Sequence, residues 1–288
     1  MPASRSNFKQ GRLHFLLLLC LITVLEACAA RPRVVFVTGD CEYRSEITMP
    51  MIAEILQSQH GIDATVCYAT NPLTGEFDPK YRNHINNLAA LRDADAAVFF
   101  MRFRELPDDQ LHQILDYIKS GRPVVGIRTS THAFAYPSGE NEHWNDDFGK
   151  EVFGQKWISH HGHDSTTNVT ITNKNHPVAR GVAGSFHCSS WLYNVTPLPE
   201  DCLEIAAGAA MNKNGAAFGE RNPVAWIRQN NHSRMFYTSL GHPSDFASEP
   251  VRRLLVNGIL WALQRETDIP EEGSGVSLTN DWSPPPTH

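Results

Sequence analysis

The chain has 288 residues, of which 41% are hydrophobic and 19% charged. That length is ample for a sizeable core, and the composition excludes fibrous and disordered classes for the bulk of the molecule. With 25 Lys and Arg against 31 Asp and Glu, the net charge is −6. An acidic surface repels phosphate backbones, so nucleic acid is not an expected partner.

The N-terminus departs from this ordinary composition. Arg5, Lys9 and Arg12 precede the apolar run Phe15–Leu25, and small residues follow it at Ala27, Ala29 and Ala30. A basic region, a short apolar run and small residues make a secretory signal, expected over residues 1–28. The run is too short to span a bilayer comfortably. LEAC at 25–28 also matches the bacterial lipobox pattern, in which Cys28 would become a lipidated first residue, although Glu26 is unusual there. The expected localisation is therefore export, either to the periplasm or to a membrane surface through that lipid alone. Beyond the signal lie Cys41, Cys67, Cys188 and Cys202, which could form two disulfides or remain buried thiols. No CxxC occurs among them, so a zinc knuckle is not indicated.

RVVFVT at 33–38 predicts a buried strand running into Gly39 and Asp40. A helix capped by Thr48 follows, with Pro50 in its first turn and Gly61 at its end. DATVCYA (63–69) is the next strand, residues 70–87 a long polar loop, and AAVFFM (96–101) the third strand. PDDQLHQILDYIKSG (107–121) is an amphipathic helix with Asp108 and Asp109 at its positive end and Lys119 at its negative end. PVVGI (123–127) is the fourth strand, and residues 136–150 read as loop. Further strands are expected at 167–172, in CLEIAAG, in PVAWI and in RMFYTSLG, before a last helix at 250–263. The stretch 265–288, with EEGSG and PPP, predicts a tail without fixed structure.

Alternating strands and helices with continuously apolar strands predict an α/β fold, a parallel sheet covered on both faces. Ligands of such sheets bind beyond the carboxyl ends of the strands. Three of those ends, GDCEYRSE (39–46), RFRE (102–105) and RTSTHAF (128–134), are crowded with charged and hydrogen-bonding groups. His132 titrates near neutrality and is the first candidate for proton transfer. Glu42, with Asp40, could orient it, take a proton or bind hydroxyls, and is expected beside strand four. Arg44, Arg102 and Arg128 make a candidate cationic pocket from three strand ends, and Thr129 adds a hydroxyl.

His161 and His163 in SHHGHD would share one side of an extended segment. With His187 or a carboxylate they could hold a divalent metal such as zinc, and His161 could then assist catalysis. His242 and Asp245 in LGHPSDF follow a late strand and could close the site. No cofactor is firmly indicated.

GDCEYRSE, RFRELPDDQL, GIRTSTHAF, HHGH, HPVARGV, PVAW and FYTSLGHPSDF, in this order, resemble the ThuA-like (trehalose-utilisation) family. The resemblance runs from Val34 to Leu263, within a domain expected over residues 31–264. It implies a class I glutamine amidotransferase-like fold: a flavodoxin-like, doubly wound, mainly parallel sheet with helices on both faces. In true amidotransferases a cysteine occupies the turn after the fourth strand. Arg128 falls at that position here, and a permanently protonated guanidinium cannot serve as a nucleophile. The resemblance implies carbohydrate metabolism instead, with a small-molecule sugar or oxidised 3-keto glycoside as partner and Tyr43 as a candidate stacking platform.

Overall fold

The computed structural model describes residues 30–229, 233–278 and 282–286. The expected signal at 1–28 lies outside them, and everything below belongs to the unit that begins at Pro32. In chain order its elements begin with β1 (Arg33–Gly39), α1 (Ser45–His60), β2 (Asp63–Cys67) and β3 (Ala96–Met101). Then come α2 (Asp108–Lys119), β4 (Val124–Ile127), α3 (Trp144–Phe153), β5 (Ser159–His160) and β6 (Thr166–Ile171). The chain continues through β7 (Ser185–Cys188), β8 (Tyr193–Asn194), β9 (Cys202–Met211), β10 (Ala217–Gln229), β11 (Arg234–Thr238) and α4 (Glu249–Ala262).

One nine-stranded sheet runs in the order β2-β1-β3-β4-β11-β10-β9-β6-β7. The strands from β2 to β11 pair in parallel, and the remainder extend the sheet in antiparallel fashion. This is the expected doubly wound architecture, with one correction: β3 separates β1 from β4, so Glu42 does not emerge beside strand four.

Both faces of the sheet are covered. Val34 and Phe36 pack into one core with Met49 and Ile52 of α1 and Leu254 and Ile259 of α4. Val35 and Val37 pack into the other with Leu111 and Ile114 of α2 and Phe148 and Phe153 of α3. Burial on both faces is why β1 reads as an unbroken apolar run. Each such side chain contributes roughly 1.5–3 kcal/mol. A methyl group at Gly126 of β4 would come within 2.3 Å of the Phe153 ring, so only glycine lets α3 lie this close to the sheet.

Three local expectations fail for physical reasons. Thr48 is not the cap of α1: the helix begins at Ser45, and Thr48 donates its hydroxyl to Arg44 O at 3.3 Å. Much of the stretch 136–150, read as loop, belongs to α3, because Phe148, Val152 and Phe153 give a narrow apolar stripe amid polar residues. The expected tail is in place through residue 278. Ile269 and Val276 are buried, Arg180 and Arg252 donate to the carbonyls of Ile269 and Val276 at 2.8 and 3.0 Å, and Gln59 donates to Ser277 O at 2.7 Å. A segment too poor in apolar residues for a core of its own is thus held by its backbone carbonyls.

The four cysteines among the described residues, Cys41, Cys67, Cys188 and Cys202, are free. Among the described residues no helix is long and apolar enough to cross a membrane.

Candidate functional site

The centre of the site is the end of β4. Arg128 follows the strand with φ at 44°, a left-handed conformation that costs a non-glycine residue about 1 kcal/mol or more. The strained turn seen where amidotransferases keep their thiol is therefore present, with a guanidinium on it. Its side chain is fully buried. Nη1 donates to Ser239 O at 2.8 Å and Nη2 to the Tyr43 hydroxyl at 3.0 Å, while Nε is sealed without a partner. The guanidinium lies 4.1 Å from the Tyr43 ring centre and 4.7 Å from that of Tyr193. No carboxylate forms an ion pair with it among the described residues. A buried cation held by carbonyls, hydroxyls and aromatic faces, with Asp245 acting on it only through space, leaves the site with a positive field that no ion pair cancels.

Above this cation the strand ends supply a rim. Arg102, at the end of β3, pairs with Glu42 at 2.9 Å and lies over the Phe103 ring at 4.3 Å. Phe103 packs at 5.2 Å against His132, which also meets Trp157 at 5.1 Å and Tyr193 at 6.1 Å. Trp157 lies 6.2 Å from His160, and His160 and His163 both pack on Trp191, at 5.2 and 4.2 Å. Tyr43 joins Trp191 to His242 at 6.1 and 6.4 Å. Nδ1 of His160 accepts from Gly162 N at 3.0 Å, and Nδ1 of His242 accepts from Ser244 N at 3.2 Å. Each neutral imidazole must then carry its proton on Nε2, so both offer donors.

His132 is not the titrating group expected. It is only 9% exposed, and burial, helped by Arg102 and Arg128, lowers its pKa to about 3. Its Nδ1 has no partner. It is a neutral imidazole near pH 7 and a poor proton reservoir. Burial likewise lowers the pKa values of His160 and His242. Asp40 is fully buried, which raises its pKa. It accepts from the backbone N–H groups of Glu42 and Tyr43 at 2.6 Å and from the Thr129 hydroxyl. Asp40 and Thr129 thus tie the β1 and β4 turns together and are not free for a ligand.

Other candidates are also displaced. Arg44 turns away from Arg128 and pairs with Glu46 at 2.7 Å, so the three arginines do not form one pocket. Asp245 is buried beneath the site and accepts from Ser189 N at 2.7 Å, Gly241 N at 3.2 Å and the Ser190 hydroxyl. It braces loops and does not line a cleft. Tyr43 is buried and serves the guanidinium through its hydroxyl and ring.

His161 and His163 do not share a side. Gly162, with φ at 104°, turns the chain after β5, which brings His160 to His163 at 4.8 Å. His161 instead meets Phe218 at 5.9 Å and contacts Leu192 O at 3.1 Å. His187 lies on β7 with its Nδ1 2.7 Å from Asn168 Oδ1. Among the described residues no three His, Cys, Asp or Glu side chains are arranged as a metal shell, so the proposed His161, His163 and His187 set does not assemble.

The residues that sequence reasoning passed over are Phe103, Trp157, Trp191 and Tyr193. Their signal was aromatic residues next to polar loop motifs, but ordinary core packing gives the same pattern.

Comparison with known proteins bears on the fold and the family. No curated protein matches the chain. A ThuA-like protein from Bacteroides uniformis superposes with a TM-score of 0.57 at 17% identity, covering 82% of this chain and 93% of that one. A ThuA-like protein from Parabacteroides merdae gives 0.57 at 15% identity, covering 85% and 97%. At these identities the likeness establishes the fold. The family model described as ThuA, trehalose utilisation, matches residues 33–262, and the chain therefore belongs to the ThuA family.

Proposed function

We propose that this chain is an exported carbohydrate-active protein that handles a sugar or an oxidised 3-keto glycoside in the cleft between Glu42, Arg102, His160 and His242. The observation that carries the reading is Arg128, a buried cation that no described carboxylate pairs with directly. Such a field favours negative charge that develops during reaction. In a 3-keto glycoside, removal of the C2 proton places charge on the ketone oxygen, and the electron pair returns to expel the C1 oxygen. Glu42 is the acceptor for the C2 proton, and the leaving oxygen takes a proton from a donor of the rim. The Nε2–H groups of His160 and His242 are of the right kind to hold the oxyanion, and Glu42, once it has taken the C2 proton, is the rim donor that can return it to the leaving oxygen. His132, neutral and packed among rings, shapes the floor.

The experiment is to follow monosaccharide release from 3-keto-trehalose and from trehalose by the purified chain. Glu42→Gln and Arg128→Met are each expected to lower kcat about a hundredfold or more. Unchanged rates in Glu42→Gln would remove the assigned base. A second reading, saccharide binding without turnover, is favoured by the Glu42–Arg102 ion pair, which occupies the carboxylate. It predicts calorimetric binding of the same sugars with no product.

A further inference from the structure

Beyond the carboxyl end of β2 lies a cavity of about 420 Å³ whose walls include Arg44, Glu46, Tyr68, Phe77 and Asn86. The central cleft uses none of these side chains. The Glu46 side chain is 6% exposed, and its Oε1 accepts from Arg44 Nε at 2.7 Å. Its Oε2 is buried with no donor. Carboxylate oxygens are rarely left this way, because desolvation without a hydrogen bond is costly. Tyr68 and Phe77 meet edge to face at 5.9 Å, yet Phe77 stays 46% exposed. Asn86 Oδ1 accepts from Tyr68 N at 2.8 Å, which fixes the carboxamide and leaves its NH2 as the group available to a ligand.

An aromatic face, a carboxylate whose sealed Oε2 a small side-chain shift would uncover, and a carboxamide donor match one ligand chemistry, a pyranose ring with apolar C–H faces and equatorial hydroxyls. Glu46 is already neutralised by Arg44, which disfavours a cation, and the mixed polarity disfavours a lipid chain. Position supports the same view. Glu42 and Arg44 are two residues apart on one turn, the first turned toward Arg102 and the second toward Glu46. We propose that this cavity is a second subsite holding one ring of a neutral disaccharide while the reacting ring occupies the central cleft. The inference rests on the carbohydrate reading above.

Calorimetric titration of trehalose, sucrose and cellobiose into the purified chain tests it, using wild type, Phe77→Ala, Glu46→Gln and Glu42→Gln. Loss of one charged hydrogen bond or one ring face weakens binding about tenfold. That drop is expected in Phe77→Ala and Glu46→Gln with melting temperatures near wild type. Wild-type affinity in both variants overturns the subsite while loss in Glu42→Gln alone preserves the central cleft. Loss in Phe77→Ala and Glu46→Gln but not in Glu42→Gln keeps the subsite, the role of Glu42 being decided by the turnover assay above. No binding of any of the three sugars by the wild type overturns both.

Discussion

His132 shows how a residue's chemistry is rewritten by its surroundings. A histidine five residues past a strand end reads as a proton carrier, because its free imidazole titrates near neutrality. Packed between Phe103, Trp157 and Tyr193 and facing the Arg102 and Arg128 cations, it holds a pKa of about 3. The consequence for stability has a definite sign. Above about pH 6.5 neither folded nor unfolded chain protonates this group, so it contributes nothing to pH dependence. Between there and about pH 3 the unfolded chain takes up a proton that the folded one refuses, so stability falls as pH falls. The slope is about 1.4 kcal/mol per pH unit from this residue. Urea unfolding of His132→Gln across pH 7 to 4 is expected to show a shallower acid loss than wild type, and an identical slope would refute the assignment.

Among the elements, the segment after α4 carries the clearest energetic lesson. Its composition predicts a solvated tail, but Ile269 and Val276 are fully packed, and arginines and glutamine from neighbouring elements take up its carbonyls. Burial of two aliphatic side chains contributes about 3–6 kcal/mol. A chain ending at residue 264 is therefore expected to lose several kcal/mol in urea unfolding, and Arg180 and Arg252 would lose buried acceptors. An unchanged midpoint would show that the segment merely lies on the surface. The converse error was α3, where Asn, Asp and Gly suggested loop. The deciding contact, Phe153 on Gly126, lies between positions far apart in the chain, so no local window contained it.

At the scale of the whole molecule, the two cores above and below the sheet hold the fold without covalent staples. Among the described residues Cys41, Cys67, Cys188 and Cys202 are free, and burial raises the pKa of Cys67 to about 12 and that of Cys188 well above its usual value. The melting temperature is accordingly expected to be insensitive to a thiol reductant, and alkylation after denaturation should modify all four. A reductant-induced drop would reveal a disulfide. The sequence by itself determined the parallel strands and the polar character of their carboxyl ends, because apolar runs and turn residues are local and both faces of the sheet are buried, but not the short strands β5, β7 and β8 or the place of β3 between β1 and β4. It also located Arg128 on the turn after β4. Only the tertiary structure decided which polar groups stay free. Asp40, Thr129 and Asp245 are consumed by backbone and hydroxyl partners, Arg44 leaves Arg128 for Glu46, and Gly162 swaps the histidine that faces Trp191. Those outcomes depend on hydrogen bonds and ring contacts, many of them between residues far apart in the chain, and residue type alone does not encode them.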